Sequence, residues 1–391
     1  MQVTLLVVNF FLITIISREY GASVYGEYAS SKSLSVLIGT ASVISLALVT
    51  TKVRAQKVDY SNSVFSNSYY LVLRNLIFSL AILFPLTLLL GRNYLWTSLF
   101  LIGYIFNEMI HIALAYYQAN GNFVISSKQI LVRTVIYGVG AWLIVFNGFP
   151  ILYVILYQVF LFCIFFYVAH LSIPKKEKID ENSDSKEVRK KLSKSGRKMV
   201  TTTFSAALIS ELDIVLLGLF YGGPLLGVLA WSRRILEGIF QLIGASLDII
   251  FPELSRVNDR NEISIIRKRL RKVFLFSFII PIGFFFTRDI AGSIFINLLG
   301  TEFEDVAKNT SAILFCLPLM IWSRINIIFS RALSFELTLT KTVLFGSLLS
   351  YIVYFSLHKI GYNPAVLSII ISQFLIAALT TYSFRRSNES T

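Results

Sequence analysis

The sequence predicts an all-α integral membrane protein with about twelve transmembrane helices, arranged in two six-helix lobes. Hydrophobic residues make up 55% of the 391 residues and charged residues only 15%, unlike a soluble domain. Apolar runs recur along the whole chain, and many are long enough to cross the ~30 Å hydrocarbon core of a bilayer. Polar and apolar residues do not alternate with a period of two, which favours helices over barrel strands.

The apolar runs place the spans in order along the chain. We predict them at residues 2–17, 28–50, 69–90, 95–116, 129–147, 151–171, 200–220, 226–251, 271–287, 311–330, 341–357 and 365–384. The longest polar stretch, residues 174–198, lies between the sixth and seventh spans. It predicts an N-terminal lobe of residues 1–172, a cytoplasmic basic linker of residues 173–198 and a C-terminal lobe of residues 199–391.

An internal repeat supports the division into two halves. Residues Tyr20 to Lys32 (YGASVYGEYASSK) return 201 positions later as Tyr221 to Arg233 (YGGPLLGVLAWSR), with Tyr, both Gly, Ala and Ser identical. Self-similarity at half the chain length indicates duplication. Because each half has an even number of spans, both halves take the same orientation, which makes this a parallel repeat.

Basic residues predict how the chain crosses the membrane. If the connecting segments alternate sides, 26 of the 36 Lys and Arg residues fall on one side and five on the other. The positive-inside rule makes the first side cytoplasmic, so both termini face the cytoplasm. The net charge of +14 is therefore assigned to membrane topology, and nucleic acid is not expected as a partner.

Several kinds of chemistry are not expected from this chain. Its two cysteines, Cys163 and Cys316, lie in apolar spans and predict neither a disulfide framework nor a metal site. Its three histidines are isolated, and no Walker A motif occurs. We therefore expect no catalytic residues, no metal and no cofactor, with H⁺ or Na⁺ coupling of transport left open.

Ionisable residues inside the spans are the candidate functional residues. Each costs about 2.5–3.5 kcal/mol at a span centre, so such residues face a wet cavity or pair with one another. The basic candidates for a substrate cavity are Lys32, Arg74, Arg233, Arg234 and Arg324. The acidic and polar candidates are Glu108, His111, Glu211, Asp213, Glu237, Gln241 and Asp248.

Helical spacing groups these candidates into two polar faces. Arg234, Gln241 and Asp248 are seven residues apart and share one face of span eight. Tyr104, His111 and Gln118 repeat this spacing in span four, so both spans are predicted to line a polar interior. The alternative is structural: Arg233 and Glu237 can form an ion pair between helices, and His111 can be a satisfied buried donor. The repeat places Lys32 and Arg233 at equivalent positions, where they would attract an anion.

Three motifs carry a resemblance to a known family. The segment SREYGASVYGEYA (17–29) resembles the R-x-x-G…G-x-Y-A signature of O-antigen and capsular oligosaccharide flippases, within the MATE-like superfamily. LDIVLLGLFYGGPLLGVLAWSRRI (212–235) and FPELSR (251–256) resemble further parts of the same family. The resemblance implies two lobes around a central cavity and alternating access. It matches Asp213 to the acid of the seventh span and implies that Lys32 and Arg233 lie in the lumen-lining second and eighth spans.

The resemblance also implies a function. The expected activity is that of a flippase, not an enzyme, moving undecaprenyl-pyrophosphate-linked oligosaccharide between leaflets of the bacterial inner membrane for O-antigen or capsule biosynthesis. Partners would be this lipid-linked substrate, the phospholipid bilayer and other polysaccharide-assembly proteins. Two alternatives stay open, an ion-coupled drug or metabolite exporter of the MATE type and a membrane polymerase or ligase of lipid-linked glycans. The ligase alternative needs a larger extramembrane loop than the sequence offers.

Overall fold

A computed structural model describes residues 2–55, 63–89, 91–173, 185–248, 260–332, 336–357 and 363–389. These residues form α-helices and one short 3-10 helix, Thr301–Phe303, and contain no strand. The helices are α1 (Gln2–Val43), α2 (Leu46–Ala55), α3 (Val64–Leu89), α4 (Tyr94–Ala119), α5 (Phe123–Phe146), α6 (Ile151–Leu171), α7 (Ser185–Phe220), α8 (Gly223–Asp248), α9 (Arg260–Phe276), α10 (Ile279–Leu299), α11 (Val306–Ile313), α12 (Cys316–Ala332), α13 (Glu336–Leu357) and α14 (Asn363–Glu389). The motif at residues 251–256 lies outside the described residues.

The helices are those of a multi-pass membrane protein. Among the described residues, seven helical stretches are long and apolar enough to cross a membrane, or eight if the bent pair Thr301–Ile313 and Cys316–Phe329 is one span. The first stretch, Leu6–Val43, covers most of the first two spans predicted from sequence. The helices α7, α8 and α13 coincide with the remaining predicted spans.

Two backbone irregularities shape the first predicted spans. Gly21 interrupts α1 with φ 78° and ψ 172°, values that glycine adopts without a Cβ clash. The second predicted span is itself broken, because Ile44 and Ser45 both have φ 52° between α1 and α2. Two consecutive non-glycine residues in this left-handed region are strained. Span two is therefore two helices and not the single one predicted over residues 28–50.

The chain divides into two compact units. Unit 1 contains Met1–Glu19 and Ser31–Ala207. At its centre α4 packs against α2, α3, α5 and α6. The apolar side chains that α4 buries include Phe100, Leu101 and Ile105. Unit 1 is thus built around one helix, which also carries the polar face predicted from sequence.

Unit 2 contains Tyr20–Ser30 and Leu208–Thr391. In it α8 packs against α11 and α12, and α14 packs against α12 and α13. Its apolar core draws on α7 to α9 and α11 to α14, through side chains such as Leu217, Leu229, Leu317, Tyr354 and Ile369. The segment Tyr20–Ser30 belongs to this unit although its sequence lies in the predicted N-terminal lobe.

Backbone packing explains why Tyr20–Ser30 belongs to unit 2. A Cβ at Gly227 would lie 1.9 Å from the carbonyl oxygen of Ala22, and a Cβ at Gly26 would lie 2.7 Å from the amide nitrogen of Gly227. The Ala22 amide also donates a hydrogen bond of 2.8 Å to the carboxylate of Glu302. This carboxylate satisfies an amide at the start of the helical stretch after Gly21. The close packing at the two glycines and the hydrogen bond to Glu302 together attach Tyr20–Ser30 to unit 2.

The predicted basic linker is helical where it is described. Residues 185–198 form the first turns of α7 within unit 1, and residues 174–184 lie outside the described residues. Val188, Leu192 and Gly196 are four residues apart and buried, which gives this charged stretch one face for packing. A Cβ at Gly196 would lie 2.5 Å from the carbonyl oxygen of Ile44. This face is not apparent from the composition of the predicted basic linker, because the charges on the other faces dominate it.

Arg189 adds a polar contact to this packing. Its Nε donates a hydrogen bond of 2.8 Å to Oδ1 of Asn67, and its guanidinium lies 3.7 Å from the ring centroid of Tyr70. Cation–π and hydrogen-bond contacts of this kind stabilise a docked helix by about 1 kcal/mol each.

Candidate functional site

Unit 1 contains a cavity of about 360 Å³ lined by both polar and apolar side chains. Its lining comes from α1, α2, α4 and the part of α7 that belongs to unit 1. The lining residues are Thr40, Val43, Ser45, Ala47, Leu48, Thr51, Tyr104, Glu108, His111, Gln118 and Thr203. Tyr104, His111 and Gln118, the face predicted on span four, therefore line the same cavity. We call it the unit 1 cavity.

Local packing fixes the hydroxyl groups at the edge of the unit 1 cavity. The Tyr104 ring lies against the backbone of α1 at Gly39, where a Cβ would come within 2.4 Å of the ring. Its hydroxyl is 2.9 Å from the hydroxyl of Thr40. The Ser45 hydroxyl, at the helix break, is 2.6 Å from Oγ1 of Thr203 on α7.

A buried arginine places a positive charge near the two ionisable residues that line the unit 1 cavity. Arg133 on α5 donates a hydrogen bond of 2.6 Å to Oδ1 of Asn107, and its guanidinium lies 4.7 Å from the ring centroid of Phe162. Its positive charge acts on both Glu108 and His111. Arg133 itself is buried within α5. The carboxylate of Glu108 is thus partly balanced by a cation outside the lining.

A second polar group lies inside unit 2. Nε of Arg233 is 3.2 Å from Oδ2 of Asp213, with 0% and 4% of the two side chains exposed. Gln373 donates a hydrogen bond of 3.0 Å to the same carboxylate, and the hydroxyl of Tyr354 donates one of 3.3 Å to its other oxygen. Nη1 of Arg233 also lies 3.9 Å from the sulfur of Met320. The Arg233 guanidinium, which was predicted to line a substrate cavity, is thus buried within unit 2 beside Asp213.

Arg234 forms the centre of a neighbouring cluster. Its guanidinium bonds Glu237 on the next helical turn and Glu211 on α7, the latter at 3.3 Å. Gln241 donates a hydrogen bond of 3.0 Å to the second oxygen of Glu237. The charges of Arg234 and Glu237 also act on the buried phenol of Tyr25. The predicted pair of Arg233 with Glu237 is therefore replaced by separate partners, since adjacent arginines point to different sides of α8.

The other predicted residues are placed in different surroundings. Arg74 is exposed on α3 and contacts Asn75, and it shares its helix surface with the exposed side chains of Ile77 and Phe78. This location differs from the predicted cavity role and suits a cation at the edge of an apolar surface. Lys32 in unit 1 and Arg324 in unit 2 are both half-buried. The backbone of Asp248 ends α8, and its side chain lies outside the described residues.

Some site residues were not singled out from sequence. Thr40, Ser45 and Thr51 belong to a Ser- and Thr-rich span, and that richness was an available signal. Tyr354 and Gln373 are single polar residues in apolar spans far along the chain from Asp213, and no spacing links them. Within the described residues, no group of three His, Cys, Asp or Glu side chains could hold a metal ion.

The sequence matches one known protein family. The profile of the family described as polysaccharide biosynthesis protein matches residues 50–308, more than half of the sequence. The chain belongs to this family. No curated protein matches the chain. Membership agrees with the resemblance of the first-loop and α7–α8 motifs to polysaccharide-biosynthesis flippases.

Solved structures show a shared fold. The chain is similar to an inward-facing multidrug resistance MATE family transporter of the MOP superfamily, with a TM-score of 0.75, 12% identity, and coverage of 100% of this chain and 95% of that chain. It is also similar to the lipid II flippase MurJ in its inward closed conformation, with a TM-score of 0.76, 16% identity, and coverage of 97% and 86%. The eukaryotic MATE transporter AtDTX14 matches with a TM-score of 0.60, 13% identity, and coverage of 99% and 98%. The all-helical MATE-like fold is therefore confirmed.

Proposed function

We propose that this polysaccharide biosynthesis family member is a flippase for undecaprenyl-pyrophosphate-linked oligosaccharide. The observation that carries the proposal is the unit 1 cavity, where Glu108, His111 and several hydroxyl groups line about 360 Å³ among apolar helices. Polar groups inside a membrane protein mark a substrate pathway by default. Family membership points to glycan assembly as the process that this pathway serves.

The described charges narrow the residues that can hold a pyrophosphate. Arg233 and Arg234 both contact carboxylates within unit 2. Lys32 is half-buried, and its repeat partner is the inward-turned Arg233. We assign the phosphate contact to Lys32, because it occupies the equivalent position of the repeat and an ammonium recognises phosphate by charge-assisted hydrogen bonds. Transport across the inner membrane, with both termini in the cytoplasm, completes the proposal.

The direct test follows the lipid-linked oligosaccharide in cells that lack the gene. The proposal expects this intermediate to accumulate in the cytoplasmic leaflet and surface glycan to disappear, with both restored by the wild-type gene. Unchanged surface glycan together with altered drug tolerance would instead identify a MATE-type exporter. Normal flipping with unpolymerised or unligated glycan would identify the polymerase or ligase alternative.

Coupling to an ion is a separate part of the proposal. Glu211 and Glu237 flank one arginine in unit 2, and their side chains are 9% and 10% exposed. Acidic side chains inside a membrane protein mark ion pathways, so these two are the candidates for coupling to an H⁺ or Na⁺ gradient. Transport into proteoliposomes with and without an imposed H⁺ or Na⁺ gradient tests this. Equal rates under both conditions exclude coupling.

A further inference from the structure

We propose that the unit 1 cavity is the site that binds the sugar part of the substrate, taking neutral pyranose rings and rejecting anionic ones. The proposal rests on the proposed function and assigns the sugar and the pyrophosphate of the substrate to different residues of the protein. The lipid-linked substrate has an anionic pyrophosphate and a hydroxyl-rich glycan. The lining of the unit 1 cavity suits the glycan.

The lining offers the hydrogen-bond groups that a sugar needs. Thr51, Gln118 and His111 provide donors and acceptors, and Glu108 accepts from hydroxyl groups. Val43, Ala47 and Leu48 form an apolar patch for the C–H faces of a ring. A volume of about 360 Å³ lies at the lower end of the roughly 300–1,000 Å³ of small-molecule sites, which suits one or two rings.

The charge of the wall decides between glycan and phosphate. Among the described residues that line the cavity, none is Lys or Arg, whereas Glu108 carries a carboxylate. Arg133 balances that carboxylate from behind the wall, where Asn107 and Phe162 already engage its guanidinium. A neutral ring therefore meets hydrogen-bonding groups, whereas an anionic ring finds no Lys or Arg among the lining residues to balance its charge.

Specific contacts hold the backbone beside the unit 1 cavity in an unusual conformation. Ile44 and Ser45 hold a strained left-handed conformation at its edge. The Ser45–Thr203 hydrogen bond and the Gly196 contact with Ile44 hold the break in place. The break interrupts the backbone hydrogen-bond ladder beside the cavity, as in the discontinuous helices that form substrate sites in transporters.

Saturation-transfer NMR on the purified full-length protein tests the proposal, because it detects weak ligands. The probes are methyl β-D-glucoside, N-acetylglucosamine and glucuronate, the last being anionic. We expect transfer to both uncharged sugars and at least fivefold less to glucuronate. Ala47→Phe, which fills the cavity, should abolish transfer to all three. Thr134→Val is the matched control, since the Thr134 hydroxyl only bonds its own helix at Ile130.

Glu108→Gln supplies the second arm of the test. The amide keeps the hydrogen-bonding shape and removes the charge, so transfer to glucuronate should rise towards that of the uncharged sugars. Each variant is compared with the wild type, and its thermal unfolding is measured first to show that it is folded. Equal transfer to glucuronate and glucoside in the wild type, or transfer unaffected by Ala47→Phe, overturns the proposal.

A transport measurement distinguishes failure of this inference from failure of the proposed function. If folded Ala47→Phe moves lipid-linked oligosaccharide at the wild-type rate, the sugar site is wrong and the flippase proposal stands. If the wild-type protein moves none, the proposed function itself is wrong.

Discussion

Asp213 and Arg233 form an ion pair that is closed off inside unit 2, with the carboxylate also held by Tyr354 and Gln373. The repeat had made Arg233 a counterpart of Lys32 at a substrate cavity. Its burial changes what a mutation at this position reports, because removing one partner leaves an uncompensated charge in an apolar interior.

Breaking the Asp213–Arg233 pair should destabilise the protein. We expect Asp213→Asn or Arg233→Met alone to cost about 3–5 kcal/mol, and the double variant to recover most of this loss. Thermal unfolding in one detergent measures the effect. Tyr354→Phe, which removes one neutral donor, is the mild control at about 1 kcal/mol. Unchanged stability in both single variants would show that the pair is dispensable.

Lys32 is expected to act on transport and not on folding. Lys32→Ala should lower export of surface glycan at least several-fold while the amount of protein in the membrane stays constant, and Lys32→Arg should retain most export because the positive charge remains. Lys308, which is exposed in unit 2, provides the control Lys308→Ala. Full export by Lys32→Ala would remove Lys32 from the substrate path.

The contact between Gly26 and Gly227 tolerates no side chain. Gly227→Ala would place a methyl group against the backbone carbonyl of Ala22 and should cost about 3 kcal/mol or more. Gly238→Ala on the same helix is the matched control, since no atom lies within 4 Å of its Cβ position. Alanine there should be neutral or stabilising by up to about 1 kcal/mol. Equal unfolding temperatures of the two variants would contradict the contact.

Arg189 should keep the charged start of α7 docked on unit 1. Arg189→Ala removes the contacts with Asn67 and Tyr70, so trypsin should cleave faster at the remaining basic residues of 185–198. Lys190→Ala removes one cleavage site from an exposed position and controls for site number. The rate is read from peptide mass spectra over time. Identical cleavage of both variants would mean that Arg189 contributes nothing to docking.

The sequence predicts much of the fold because apolar length and charge asymmetry are local signals. The predicted spans coincide with helices, and the seven-residue spacing of Tyr104, His111 and Gln118 places all three at one cavity. Helical periodicity needs no knowledge of distant residues, so these predictions require only the stretch itself.

The sequence does not reveal which charged residues within the spans pair with one another. Arg233 and Arg234 are adjacent, yet one contacts Asp213 and the other Glu211 and Glu237. Which side of α8 each arginine takes depends on the packing of α7, α12 and α14, and no local pattern encodes it. The strained break at Ile44–Ser45 was also missed, because neither residue favours a left-handed conformation and tertiary contacts impose it.

The contact between Gly26 and Gly227 also bears on how the internal repeat arose. Gly26 and Gly227 occupy the same place in the two copies of the repeat, and the backbones at these positions touch. Two separate copies of an ancestral half-length chain, related by a twofold axis, would set that glycine against itself in an isologous interface. Gene fusion would then have turned a homodimer contact into an internal one. Both descendants of the original glycine must stay small together, since a side chain at either would separate the same two backbones.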